Sequence, residues 1–524
     1  MADERLFLCR AFAHIQCQKL AIVDADFEAL FLQYLRVKTA VFSMLVHAPG
    51  ERGLEQFRTH FSQIKVYAPD AEYIPPDSQS GPELVVAATE YRVATDAWFR
   101  YRRRKKRAIQ AGISRREEGE SAWLIHLKRE APDDGIPLFG SGIKMLEKDG
   151  EQIKSAIALQ PTELRELRGL DLAGVESDQP LWVAVETLRS VRKRSQEVAA
   201  RDARWGVLPL GLTLHVGEDF TWLTSGVRAV AEPLHWDLLL RGDRLGHATA
   251  ITIDPTKWCQ RKPGQKVTLK RFERLLDLAF LAEYAKGHAQ QEEEWLAAEM
   301  RNIVCAIWGN AERTHSDKDL ILHVCRLWTL LGTRRARVFL KQRPVSHHSV
   351  VEKWLSRYLW SSSVQHRAHQ AETLTIEESV ELELLKVARK RVIHELARLQ
   401  ICVETNPSSN LVVGSLESVA AQDFLHRRPT VNEEPGVQPG DETLTWTIST
   451  DDPITFSTTL ADEYAYAWAG LVLRQNNPCD PAYARALLDE AAATSMRMRF
   501  TIPRQDRESM NKGKSQGRGH ARRD

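Results

Sequence analysis

The chain has 524 residues, 43% of them hydrophobic, with Lys+Arg 72 set against Asp+Glu 70. That hydrophobic share is ample for a buried core, and the near-zero net charge removes bulk electrostatics as a pointer to nucleic acid or an anionic membrane. The seven cysteines are scattered, odd in number and include no C-x-x-C pair. This argues against a disulfide framework and a thiolate zinc site, and favours a reducing cytoplasm. No apolar run reaches the roughly 18 residues of a membrane span. The start, Met1-Ala2-Asp3-Glu4-Arg5, lacks the basic and apolar stretches of a signal peptide.

In chain order, residues 1–70 read mainly as helices, with apolar residues at helical spacing over 29–46 until Pro49-Gly50 breaks the pattern. Residues 84–91 and 122–127 are strand candidates. Further short apolar segments each end in polar residues. Residues 169–172 run into Ala173-Gly174-Val175-Glu176, and 208–214 into His215-Val216-Gly217-Glu218. Arg244-Leu245-Gly246-His247 follows. Residues 400–403 run into Glu404-Thr405-Asn406-Pro407, and 444–448 into Ser449-Thr450-Asp451-Asp452-Pro453. Amphipathic helical stretches separate most of them. Strand, polar tip and helix in repetition predict a parallel α/β sheet; in a barrel the carboxyl ends of the strands hold the site.

A (β/α)8 barrel takes roughly 250 residues, which leaves room for a large addition. One spacing locates it: about 155 residues separate His247 from Glu404, where about 25–40 suffice for one helix and its loops. Residues 259–398 are strongly helical in pattern and hold Trp295, Trp308, Trp328, Trp354 and Trp360 among many charges. The expected layout is a first barrel part (1–258), a helical insertion between strands six and seven (259–398), a last barrel part (399–503) and a disordered basic tail (504–524). The tryptophans suggest a surface buried against another subunit, hence a homo-oligomer.

The strand tips offer His, Glu, His, Asp and Asp. Imidazole and carboxylate ligands suit Zn²⁺. Bound zinc lowers the pKa of water from about 15.7 to about 7, worth about 12 kcal/mol toward hydroxide. Hydrolytic deamination of a purine needs such a nucleophile at carbon 6, an acid for the ring nitrogen and a base to steer the water. Each residue alone has a blander reading: a core histidine, a solvated Glu218, a turn or helix cap at Asp451-Asp452-Pro453.

The set His215-Val216-Gly217-Glu218, Arg244-Leu245-Gly246-His247, Asn406-Pro407-Ser408-Ser409-Asn410 and Ser449-Thr450-Asp451-Asp452-Pro453, in this order, resembles the adenosine and AMP deaminases. Asp171-Leu172-Ala173-Gly174 looks like that family's fourth-strand motif. The resemblance covers about 30–255 and 395–500 and leaves the insertion unmatched. It implies a (β/α)8 TIM barrel of the metallo-dependent hydrolase type and a zinc-dependent aminohydrolase acting on adenosine or an adenine nucleotide. It further implies that His215 and Asp451 ligate zinc, that Glu218 protonates the purine ring and that His247 orients and deprotonates the water. Asp452 would bond the five-membered ring of the purine, and the Gly174 N–H would meet the far edge of the six-membered ring. The cytidine-deaminase type is excluded, because it needs P-C-x-x-C and Pro478-Cys479-Asp480-Pro481 lacks the second cysteine.

The family's other two ligands form an H-x-H pair at the end of strand one, and no H-x-H occurs in this sequence. The expectation is that the first strand is missing from residues 1–524 and that the working protein is longer. The alternative is a catalytically incomplete deaminase-like protein kept for binding or assembly. His14 and the His347-His348 pair are poor substitutes, the latter because adjacent side chains on a strand diverge. The run from Arg100 to Arg107 reads first as a solvated helix face and second as a contact for nucleotide phosphate, RNA or an acidic partner. With its large insertion the chain also resembles the deaminase component of the RADAR antiphage systems, which implies an ATPase partner and large assemblies. No membrane partner is expected.

Overall fold

In a computed structural model of the chain the described residues are 63–65, 80–87, 120–129, 138–159, 167–203, 207–287, 290–377, 379–412, 416, 419, 444–451, 460–472 and 479–498. Ten strands occur among them: β1 (Gln63–Lys65), β2 (Ser80–Ala87), β3 (Glu120–Lys128), β4 (Leu167–Ala173), β5 (Gly211–Val216), β6 (Arg244–His247), β7 (Lys266–Lys270), β8 (Ala371–Thr375), β9 (Cys402–Thr405) and β10 (Thr445–Ile448). Eight form one sheet in the order β1-β2-β3-β4-β5-β6-β9-β10. β1 runs antiparallel to β2, and every pairing from β2 to β10 is parallel. The protein is therefore an α/β protein with a mostly parallel sheet. The strand at 63–65 corrects the helical reading of that stretch.

The order has no reversal: each parallel strand lies beside the next strand of the same sheet along the chain. Right-handed crossovers repeated in one direction put their helices on a single face. That face is apolar. Ile125 and Leu127 of β3, Leu170 and Leu172 of β4, Leu212, Leu214 and Val216 of β5 and Leu245 of β6 join one buried cluster with the crossover helices α1 (Gly140–Leu159), α2 (Val185–Arg201) and α3 (Leu223–His235). Paired residues of parallel strands share a face, so the register defines the other one. His126 pairs with Asp171, Asp171 with Thr213, Thr213 with Arg244, Gly246 with Glu404, and Glu404 with Thr447. This second face is polar, and all six polar side chains are nevertheless buried. Arg244 and Glu404 form an ion pair within it.

The helical addition between β6 and β9 begins at α4 (Pro255–Arg261). Asp254 caps α4 by accepting from the Lys257 N–H, with Pro255 at the first position. Then come α5 (Arg271–Tyr284), α6 (Gln290–Trp308), α7 (Asp317–Leu331), α8 (Arg334–Lys341), α9 (Val350–Trp360), α10 (Ser362–His369) and α11 (Val380–Leu399). Ser316, Thr333 and Ser349 cap α7, α8 and α9 in the same way as Asp254. The helices α12 (Pro407–Val412), α13 (Leu460–Val472) and α14 (Pro481–Met498) follow β9 and β10.

β7 and β8 pair antiparallel, Lys270 facing Ala371, so the excursion 271–370 leaves and returns at adjacent points. The five tryptophans do not form a surface awaiting another subunit. Trp308, Trp328 and Trp354 are buried within this chain, and Trp295 and Trp360 pack against the same cluster, which runs unbroken from the sheet into the insertion. A buried ionic network reinforces the seam: Arg228 of α3 pairs with Glu232 on its own helix and with Glu273 and Asp277 of α5, and Arg274 of α5 pairs with Glu381 of α11. Among the described residues no helix is long and apolar enough to cross a membrane.

Candidate metal centre

Six strands, β3 to β6, β9 and β10, deliver side chains at or just past their ends to one place at the carboxyl edge of the sheet. His215 is the penultimate residue of β5 and buried. Its Nδ1 lies 3.0 Å from Asp171 Oδ1 of β4. A carboxylate there takes the proton on Nδ1, which leaves the Nε2 lone pair for a ligand. Nε2 faces Asp451 Oδ1 at 4.0 Å. Asp171 also turns Oδ2 toward His126 Nδ1 of β3, at 3.7 Å. One buried carboxylate thus stands between two imidazoles, as the register pairing of His126 with Asp171 requires.

His247 reaches the group by a different route. Alternation along β6 puts Arg244 and Gly246 on the polar face and assigns His247 to the apolar one. The backbone at His247 is left-handed, φ 62, and Ala248 follows with φ 44. That conformation brings the imidazole back, so that its ring centroid lies 5.0 Å from that of His215. A non-glycine residue in this region is strained, and such strain gathers at functional sites. Asp451, just beyond β10, is left-handed too, with φ 54. Around His247 Nδ1 stand Asn410 Oδ1 at 2.8 Å and Glu218 Oε1 at 3.1 Å. Asn406 is best turned with its oxygen toward the same nitrogen, at 3.2 Å, since its amide then donates to Ser449 O and Thr405 O. With acceptors gathered on this side, Nδ1 is assigned as the protonated nitrogen. Nε2 faces Asp451 Oδ2 at 3.7 Å.

An imidazole nitrogen of His215, one of His247 and the Asp451 carboxylate converge, all within 4.8 Å of one another and all buried. Ligand bonds of about 2.1 Å at tetrahedral angles separate donor atoms by about 3.4 Å. The observed 3.7 and 4.0 Å exceed this by about half an ångström. With two N donors and an O donor, the group could hold a metal ion.

Glu218 lies three residues beyond His215, after a turn at Gly217 with φ 69. Burial first, then the negative charge of Asp451, holds its carboxyl well above the usual carboxylate range. Its loop is tied down by Glu176, whose two oxygens accept from the backbone N–H groups of Gly217 (3.0 Å), Glu218 (3.0 Å) and Asp219 (3.2 Å). A partly exposed carboxyl with a raised pKa, next to two imidazoles, has the chemistry of a proton donor to a bound ring or leaving group.

Comparison with protein-family models and with curated proteins found no match to this chain.

The structure thus brings together His215, Glu218, His247 and Asp451, four residues singled out in the sequence. Gly174 ends the β4 tip with φ 110, and a Cβ there would lie 3.2 Å from Arg129 Cβ, so the position demands glycine for close packing. Asp452, His14 and the basic run 100–107 lie outside the described residues. His347 and His348 are exposed on a loop away from the group, and the His348 N–H donates to Glu352. Sequence reasoning missed His126, Asp171 as the partner of His215, and the two asparagines on His247. Both asparagines were visible in Asn406-Pro407-Ser408-Ser409-Asn410. What gives them a role is the placement of β9 beside β6.

Proposed function

We propose that the protein is a zinc-dependent hydrolytic deaminase of adenosine or an adenine nucleotide, built on a (β/α)8-type barrel. The observation that carries the reading is the convergence of His215, His247 and Asp451, whose ligand atoms lie within 4.8 Å of one another, with Glu218 beside His247 at the carboxyl edge of a parallel sheet. The barrel is supported by two features of the sheet. A strand order without reversal places helices on one face, and a polar second face that is nonetheless buried is what the inside of a curled sheet would present.

In this reading His215 and Asp451 would hold the ion. When bound, zinc supplies an acidified water near neutral pH. His247, with Nδ1 protonated and Nε2 beside Asp451, accepts the proton that the attacking water loses. Glu218 gives its proton to the ring nitrogen as the C–O bond forms at carbon 6. The C–N bond to the amino group then breaks, ammonia leaves with the proton that His247 took from the water, the remaining proton on the C6 oxygen returns to Glu218, and the 6-oxo purine, protonated on its ring nitrogen, remains. A bound cation offsets the push of Asp451 on Glu218 while the burial persists. Asp452 at the five-membered ring and the Gly174 N–H at the six-membered ring belong to the same proposal, as do a homo-oligomer, an ATPase partner and a role in antiphage defence.

The test is zinc binding measured together with ammonia release from adenosine, AMP and ATP by the purified protein. The expected result is zinc binding lost in His215→Ala and Asp451→Ala, and turnover of at least one adenine substrate. Zinc binding indifferent to both substitutions, or no turnover of any of the three by zinc-loaded protein, would overturn the proposal.

A further inference from the structure

The loop that carries Glu218 is held by two residues with no part in the chemistry above. Arg129, one residue past β3, is buried and donates from Nη2 to the His215 carbonyl oxygen at 2.8 Å. Its Nη1 lies 3.9 Å from Glu176 Oε2. Glu176 in turn gathers the successive N–H groups of residues 217, 218 and 219. Three consecutive amides converging on one centre form a nest, the anion-binding arrangement of backbone, and here the anion is a side chain of the same molecule. The left-handed Gly217 makes the nest possible, and a Cβ there would meet Val230 Cγ2 at 2.5 Å. Arg129 is itself seated: its N–H donates to Ala173 O at 2.9 Å, and Gly174 packs against its Cβ.

We infer that Arg129 and Glu176 form a clamp that positions Glu218 relative to His215. Arg129 holds the backbone at His215, Glu176 holds it at 217–219, and the pairing of the two links the ends. Glu218 lies between these anchors, so its carboxyl is delivered to His247 Nδ1 from a segment fixed on both sides. Catalytic groups must hold their geometry closely, since a displacement of about 1 Å costs about 10²-fold in rate. The inference rests on the deaminase reading for its kinetic consequence, but not for the existence of the clamp.

Glu176→Gln is the direct test, because the amide keeps the shape and replaces one acceptor oxygen by a donor that opposes the N–H groups. Hydrogen exchange at the 217–219 amides reads the clamp with no reference to activity. The expected result is exchange at least tenfold faster there and unchanged in α2. With zinc-loaded protein, kcat per bound zinc should fall 10- to 100-fold, with KM within about twofold. Glu176→Asp, which keeps the charge, should recover part of the kcat. Arg129→Lys, which cannot span the His215 carbonyl and Glu176 together, should give the same split of kcat from KM and covers the case of a Glu176 variant that fails to fold. Unchanged exchange at 217–219 overturns the clamp. Faster exchange with unchanged kcat overturns its positioning role. If the unaltered protein turns over no adenine substrate, the deaminase reading has failed, and exchange alone then decides for or against the clamp.

Discussion

In the proposed reaction Glu218 acts through its proton, and burial, then the charge of Asp451, raises its pKa well above the usual carboxylate range. Glu218→Gln preserves the volume and removes the acid, so deamination should fall by about 10²–10⁴ while zinc content stays the same. A variant that keeps more than about a tenth of the rate would take the acid role from Glu218. Asp171 acts one step further out, through His215. Asp171→Asn leaves Nδ1 an ambiguous partner and frees the wrong tautomer, so zinc affinity should weaken about 10–100-fold. Competition with a chromophoric chelator measures this directly. Equal affinities in the two proteins would mean that the 3.0 Å contact does not set the tautomer.

At the scale of elements, the contact between α3 and α5 is electrostatic at its centre. Glu232 is buried beside Arg228 and within 3.4 Å of Trp328 Nε1, and burial raises its pKa from 4.5 to about 7. A folded pKa above the unfolded one means the folded state binds the proton more tightly. The stabilisation is then complete below pH 4.5 and is lost as pH rises through about 7. Glu232→Gln, permanently neutral, should lack that loss. Urea denaturation at several pH values should show unaltered protein losing stability relative to Glu232→Gln between pH 4.5 and 7, by on the order of 3 kcal/mol. A constant difference across that range would show that Glu232 is ionised throughout.

The molecule as a whole treats the insertion as part of its core. Phe272, Leu275, Leu276, Leu278, Phe280 and Leu281 of α5 are all buried, in the same cluster as the helices that cover the sheet. β7 and β8 bring residues 270 and 371 together, which makes excision of 271–370 with a two-residue turn geometrically simple. It should still fail. Removing α5 exposes the apolar side of α3 and takes Glu273 and Asp277 from Arg228, breaking the ionic network across the seam. The excised protein should be insoluble or lack a cooperative thermal transition. A soluble, cooperative excised protein would make the insertion an independent domain.

By itself the sequence determined the alternation of strand, polar tip and helix, because burial of one face imposes a short-range period that any reader of the chain can see. Seven parallel strands lie at or near the predicted positions, and β6 matches residue for residue. It also singled out His215, Glu218, His247 and Asp451, since their chemistry is legible from residue type at a strand end. Only the tertiary structure decided the rest, because those facts depend on which distant segments meet. The β7–β8 neck joins stretches about 100 residues apart, a separation over which no local period carries information. The tryptophans looked like a surface because composition cannot say which helix they face. His247 reaches the site only through a left-handed backbone that breaks the alternation used to predict it. Asp171 became the partner of His215, and Asn410 that of His247, when β4 came to lie beside β5 and β9 beside β6, and that adjacency is a property of the folded sheet alone.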